Sequence, residues 1–126
     1  MHDLPTTAAL EQLLEQQVEP SLRTILEGRL HDTIECSLQD LTHVLVIEAD
    51  DTEEAVIEAI GFSPLRSRID PDKNGPNCDW LEKHPGWCEL IFTVGNAGFA
   101  YIVLIEDSDR SPFAVRCRRW GVGAAK

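Results

Sequence analysis

The sequence predicts an α+β fold, a two-layer sandwich with N-terminal helices and one mid-chain helix packed on an antiparallel sheet of about three to five strands. Three observations lead there. The run from Cys88 to Glu106, CELIFTVGNAGFAYIVLIE, is two apolar segments around Gly-Asn-Ala-Gly, the pattern of a β-hairpin. The chain up to Leu30 repeats leucines at helical spacing. Between these regions, the apolar string HVLVIE (His43 to Glu48) runs into a helix-like segment that begins near Asp51.

Leu10, Leu13, Leu14 and Val18 make one apolar stripe of a first helix, with Glu11, Glu15, Gln16 and Gln17 on its polar side. Thr6 or Thr7 can cap it, because a hydroxyl accepts from an orphan N–H of the first turn. Pro20 ends or kinks it. Ser21 then caps a second helix carrying Leu22, Ile25, Leu26 and Leu30, with Gly28 as its expected stop. Arg29 to Leu41 fits two patterns. Leu30, Ile34, Leu38 and Leu41 recur as in a helix, whereas Ile34, Cys36 and Leu38 alternate as in a strand, and the β-branched pair Thr33-Ile34 favours a short strand.

HVLVIE reads as a strand covered on both faces. Asp51 is the expected N-cap of the next helix, with Glu54 completing a capping box and Glu53 and Glu54 at the positive end of its dipole. Ala55, Val56, Ala59 and Ile60 form its inner face, Gly61 is a natural C′ residue, and Pro64 prevents continuation. Arg66 to Trp80 reads as loop, and Asp79 to His84 as one helical turn before Pro85-Gly86. In the hairpin, Cys88, Leu90, Phe92 and Val94 share one face, and Glu89, Ile91 and Thr93 make a more polar one. Phe99 to Ile105 is apolar on both faces and belongs mid-sheet. Phe113 to Trp120 suggests an edge strand blunted by arginines.

The 126 residues make a single domain over 1–126, with 1–30 as a helical N-terminal segment and 121–126 as a frayed tail. The first residues carry neither a basic region nor an apolar core of the secretory kind, and no apolar stretch is long enough to span a bilayer, so a cytoplasmic, soluble protein is expected. Cys36, Cys78, Cys88 and Cys117 are scattered and read as reduced structural thiols. The net charge of −11 argues against nucleic acid and anionic membranes as partners.

Candidate chemistry is sparse. Asp70, Asp72, Asn74 and Gly75 match the first half of a calcium loop, where alternate oxygen donors converge on a hard cation. Leu81 stands where that loop needs a bidentate glutamate, with Glu82 one position late, so an Asx-type surface turn explains the string as well. Cys78, His84 and Cys88 offer zinc ligands at an uncommon spacing, and either cysteine could form a nucleophile pair with His84. Trp80 and Trp87, flanking His84, suit partner anchors, although large aromatics pack into cores first. No cofactor motif is present.

The expected function is therefore a non-catalytic protein-interaction module. Its acidic face of Asp50, Asp51, Glu53, Glu54 and Glu58, with Trp80, His84 and Trp87, would dock a basic partner surface. Immunity, inhibitor and chaperone proteins share this size, charge and fold class, which is a likeness of kind and not of family. A metal- or thiol-dependent site between Asp70 and Cys88, and a homodimer joined through the N-terminal stripe, are the alternatives.

Overall fold

The computed structural model describes residues 1–36, 43–64, 77–93 and 99–115. In chain order the elements are β1 (His2–Leu4), α1 (Thr7–Leu14), α2 (Pro20–Cys36), β2 (Val44–Ile47), α3 (Glu53–Ile60), β3 (Asn77–His84), β4 (Trp87–Thr93) and β5 (Phe99–Glu106). The strands form one sheet in the order β1-β2-β5-β4-β3, parallel between β2 and β5 and antiparallel elsewhere. No described helix is long and apolar enough to cross a membrane.

The α+β class follows from how β2 and β5 are buried. Val44, Val46, Ile102 and Leu104 point to one face, and Leu45, Ile47, Val103 and Ile105 to the other; all are fully buried. Strands apolar on both sides need cover on both sides. α1 and α2 cover the first face with Leu10, Leu13, Leu22, Ile25 and Leu26. α3 covers the second with Val56, joined by Phe62 and Phe113. The helices thus split between the faces, giving one more layer than the two expected. The N-terminal stripe proposed as a dimer seam is consumed in the protein's own core.

Local chemistry sets the boundaries. The Thr6 hydroxyl accepts from Ala9 N at 3.1 Å and caps α1, which ends at Leu14, short of Val18. Pro20 begins α2, where its missing N–H costs nothing, and Glu19 Oε1 accepts from Ser21 N at 3.3 Å. Gly28 does not stop this helix. It runs on to Cys36, because the buried stripe continuing through Leu26 outweighs a glycine penalty of about 1 kcal/mol. The strand expected from Arg29 is therefore helix as far as Cys36, and residues 37–41 lie outside the described residues.

α3 is capped by Thr52, whose hydroxyl accepts from Ala55 N at 3.2 Å, not by Asp51. Asp51 instead accepts from Glu48 N at 2.7 Å, closing the turn before the helix. Gly61 ends α3 with φ of 87°, as its position predicts.

Asp79 to His84 is not a helical turn but the last six of the eight residues of β3, which pairs with β4 from Asn77↔Thr93 to His84↔Trp87, interrupted by a bulge between Cys78 and Trp80. Pro85-Gly86 is the hairpin turn; Gly86 has φ of 84°, fitting a type II turn with proline first. Cys88, Leu90 and Phe92 share the α3 face as predicted, and β5 is the middle strand. Phe113 to Val115 is helical, not an edge strand, and 116–120 lie outside the described residues.

Candidate functional site

The hairpin face read as partly polar is buried under α2. Trp87, Glu89 and Ile91 point into it, and Glu89 has no exposed surface. A buried carboxylate is costly unless charge and hydrogen bonds compensate it. Both arrive from other elements. Leu22, Ile25 and Leu26 seat α2 on the sheet, and Arg29 continues that stripe one turn on. Its Nε donates to Glu89 Oε2 at 2.6 Å. From the end of β3, His84 Nε2 lies 2.8 Å from Glu89 Oε1.

Glu82 completes the group. It stands directly opposite Glu89 in the antiparallel register, two residues before His84 on the same side of β3. One ligand atom from each of Glu82, His84 and Glu89 falls within 4.8 Å of the other two. A groove of about 220 Å³ opens over them, walled on the α2 side by Thr24, Ile25, Gly28 and Arg29.

A second concentration of charge lies at one end of the sheet. Because β2 and β5 run parallel, with Ile47 beside Ile105, the acid-rich segments that follow them emerge side by side. Ala49 N donates to Glu106 Oε1 at 3.0 Å across this junction. Asp50, Asp51, Glu53, Glu54, Arg110 and Phe113 line a cleft of about 500 Å³ there. The only nearby guanidinium among the described residues, Arg110, meets Asp50 at 3.3 Å with both side chains mostly in water, a pair worth little. The Met1 amino group sits 2.7 Å from Glu48 and 3.2 Å from Asp51. Burial pulls its pKa down, but the hydrogen bonds and charges of these carboxylates outweigh that, and the net shift is upward. On the outer face of α3, exposed Glu54 and Glu58 flank Ile57, an exposed large apolar side chain.

The structure sorts the residues singled out in the sequence. Asp50, Glu54 and Glu58 are exposed at the acidic end. Glu53 is half-buried and accepts from the Ser63 hydroxyl, so part of its role is to tie the end of α3 to its start. Trp87 is not a surface anchor: it is 5% exposed, and its indole donates to Glu19 Oε2 at 2.7 Å. That bond, aided by Ser21 N, holds the Glu19 pKa below the ordinary value against a smaller effect of burial. His84 is engaged with Glu89. The side chain of Trp80, and Asp70, Asp72 and Asn74, lie outside the described residues.

The Cys88–His84 pairing, as zinc ligands or as a nucleophile pair, fails on geometry. Cys88 is buried toward α3 and His84 lies on the α2 side of the sheet. Arg29 and Glu89 were not singled out, although each carries a sequence signal: an arginine on the leucine stripe of α2, and a glutamate alternating with Trp87 and Ile91. His43 pairs with Asp3 at 2.9 Å and leans on Tyr101, which ties β1 to β2. Comparison with protein-family models, curated proteins and solved structures finds no match to this chain.

Proposed function

We propose that the chain is a non-catalytic protein-interaction module of the cytoplasm whose acidic end docks a basic partner surface. The observation that carries this reading is the convergence of acids at one end of the sheet. Glu48, Asp50 and Asp51 follow β2, Asp107 and Asp109 follow β5, and Glu53 and Glu54 open α3. Asp107 N donates to Gly86 O at 2.9 Å, which brings the β3–β4 turn to the same end. Glu54 and Glu58 are exposed and Asp50 meets only the exposed Arg110, so a basic partner gains attraction at these positions without first breaking a strong internal bond. Ile57 between Glu54 and Glu58 supplies the apolar contact that a purely electrostatic encounter lacks.

The test reverses three exposed charges, one of which, Asp50, gives up only its weak pair with Arg110. Asp50→Lys, Glu54→Lys and Glu58→Lys are combined and compared with wild type for capture of basic proteins over a salt series. Capture that weakens with salt and disappears in the triple variant supports the reading. Capture indifferent to both salt and charge reversal refutes it.

A further inference from the structure

We propose that Glu82, His84 and Glu89 form a binding site for a divalent transition metal of the zinc class, carried on the β3–β4 hairpin and open to the groove beside α2. The donor set selects the class. One imidazole nitrogen with two carboxylate oxygens suits zinc, cobalt or nickel; calcium asks for six or more oxygens, and magnesium for a shell mostly of oxygen and water.

The geometry is close to what such an ion needs. Zinc binds imidazole nitrogen and carboxylate oxygen at about 2.0–2.2 Å, so two such ligands on one tetrahedral ion stand about 3.3–3.6 Å apart. His84 Nε2 and Glu89 Oε1 are already 2.8 Å apart. An ion inserted between them exchanges their hydrogen bond for two coordinate bonds once they part by about 0.5–0.8 Å. Glu82 then closes the third side from within 4.8 Å.

The scaffold explains why these groups stand together. Glu82 and Glu89 are direct cross-strand neighbours, a like-charge arrangement that Arg29 offsets at Glu89 and that a dication held by both carboxylates would offset further. Arg29 takes Glu89 Oε2, which fixes the carboxylate plane and leaves Oε1 turned toward His84. Three protein ligands leave a further coordination position for water or a small anion. Room for it exists: a Cβ built on Gly28, which borders the groove, would meet nothing within 4 Å.

The experiment titrates zinc into chelator-stripped, reduced protein by calorimetry and follows cobalt uptake by visible absorption. Wild type is expected to bind one equivalent with a cobalt spectrum of mixed nitrogen and oxygen ligands. Glu82→Gln, at an exposed position, and His84→Ala, at a half-buried one, should each weaken binding by at least about tenfold while circular dichroism shows the fold intact. Cys78→Ser should leave binding unchanged. No uptake by wild type, undiminished uptake by the His84→Ala/Glu82→Gln double variant, or loss of the ion in Cys78→Ser would each overturn the proposal. Glu89→Asp adds a test at the buried position, since shortening that side chain should weaken zinc while retaining the charge that Arg29 needs.

Discussion

Replacing Arg29 by methionine should be among the most damaging single changes to this fold, and its cost can be worked from the Glu89 contacts. Glu89 is fully buried, and Arg29 is 19% exposed with its Nε 2.6 Å from the carboxylate. Methionine keeps much of the aliphatic stem that packs against the sheet, so the loss is mainly electrostatic. Removing one partner of a buried ion pair costs about 3–5 kcal/mol, because the other charge stays in the protein uncompensated. His84 still bonds Glu89 Oε1, which puts the expected loss near the lower end, about 3 kcal/mol. Urea unfolding followed by the fluorescence of buried Trp87 reads this directly. With a slope of about 2 kcal/mol per molar, the midpoint should fall by about 1.5 M. Glu89→Leu should cost less, since Arg29 borders the groove and its head can reach water. The Arg29→Met/Glu89→Leu double variant removes both charges and should return to within about 1 kcal/mol of wild type. A loss below about 1 kcal/mol in Arg29→Met, or a double variant no more stable than that single one, would refute the account of Glu89 as a charge held in place by α2.

Four further outcomes can be checked by urea unfolding followed by circular dichroism, which does not depend on Trp87. Gly28→Ala should stabilise by about 0.5–1 kcal/mol, because the site is mid-helix and its Cβ has open space. The same substitution at Gly61 should destabilise by about 1 kcal/mol, because φ there is 87°. Thr52→Ala should cost about 1 kcal/mol through loss of the α3 cap, and Asp51→Ala should leave that cap in place. Trp87→Phe removes the largest cause of the lowered Glu19 pKa and leaves the bond from Ser21 N in place. Glu19 has a folded pKa below its ordinary 4.5, so it stabilises above the unfolded value and loses that contribution as pH falls through the folded one. The gap between wild type and Trp87→Phe should therefore narrow as the pH drops from about 5 to about 3, leaving only the pH-independent packing loss.

Where one physical signal dominates, the sequence and the structure agree. The alternation of Cys88, Leu90 and Phe92, the two-sided apolar run of β5 and the stop at Gly61 each depend on a single strong preference. Where two preferences compete, the sequence misleads. Gly28 is a poor helix residue, yet the buried stripe through Leu22, Ile25 and Leu26 carries the helix past it. Asp51 and Thr52 are both good caps, and the need to close the turn at Glu48 takes the first and leaves the second. β3 was missed because NCDWLEKH carries charged Glu82 and Lys83 around its inward Leu81, and because Pro85-Gly86 reads as a breaker when it is a hairpin turn. The site was half legible. His84 and Trp87 were singled out as surface anchors, yet one bonds Glu89 and the other is buried on Glu19. The partners that explain them, Arg29 and Glu89, are 60 residues apart in the chain.

The acidic end and the His84 cluster meet at the β3–β4 turn, so their separate roles must be separable by experiment. Trp87, the first residue of β4, pairs with Glu106, the last of β5, and Gly86 O accepts from Asp107 N. The turn that positions His84 is thus fastened to the strand end that carries the acids. This field attracts any cation and should speed its arrival at Glu82 and His84, an effect that fades with salt. It does not supply ligands. Asp50→Lys/Glu54→Lys/Glu58→Lys should therefore slow metal association at low salt and leave the stoichiometry at one equivalent. Glu82→Gln should do the reverse, impairing the metal while leaving salt-sensitive protein capture in place. If the charge-reversed protein loses the ion outright, the cation is held by the acidic end and not by the hairpin.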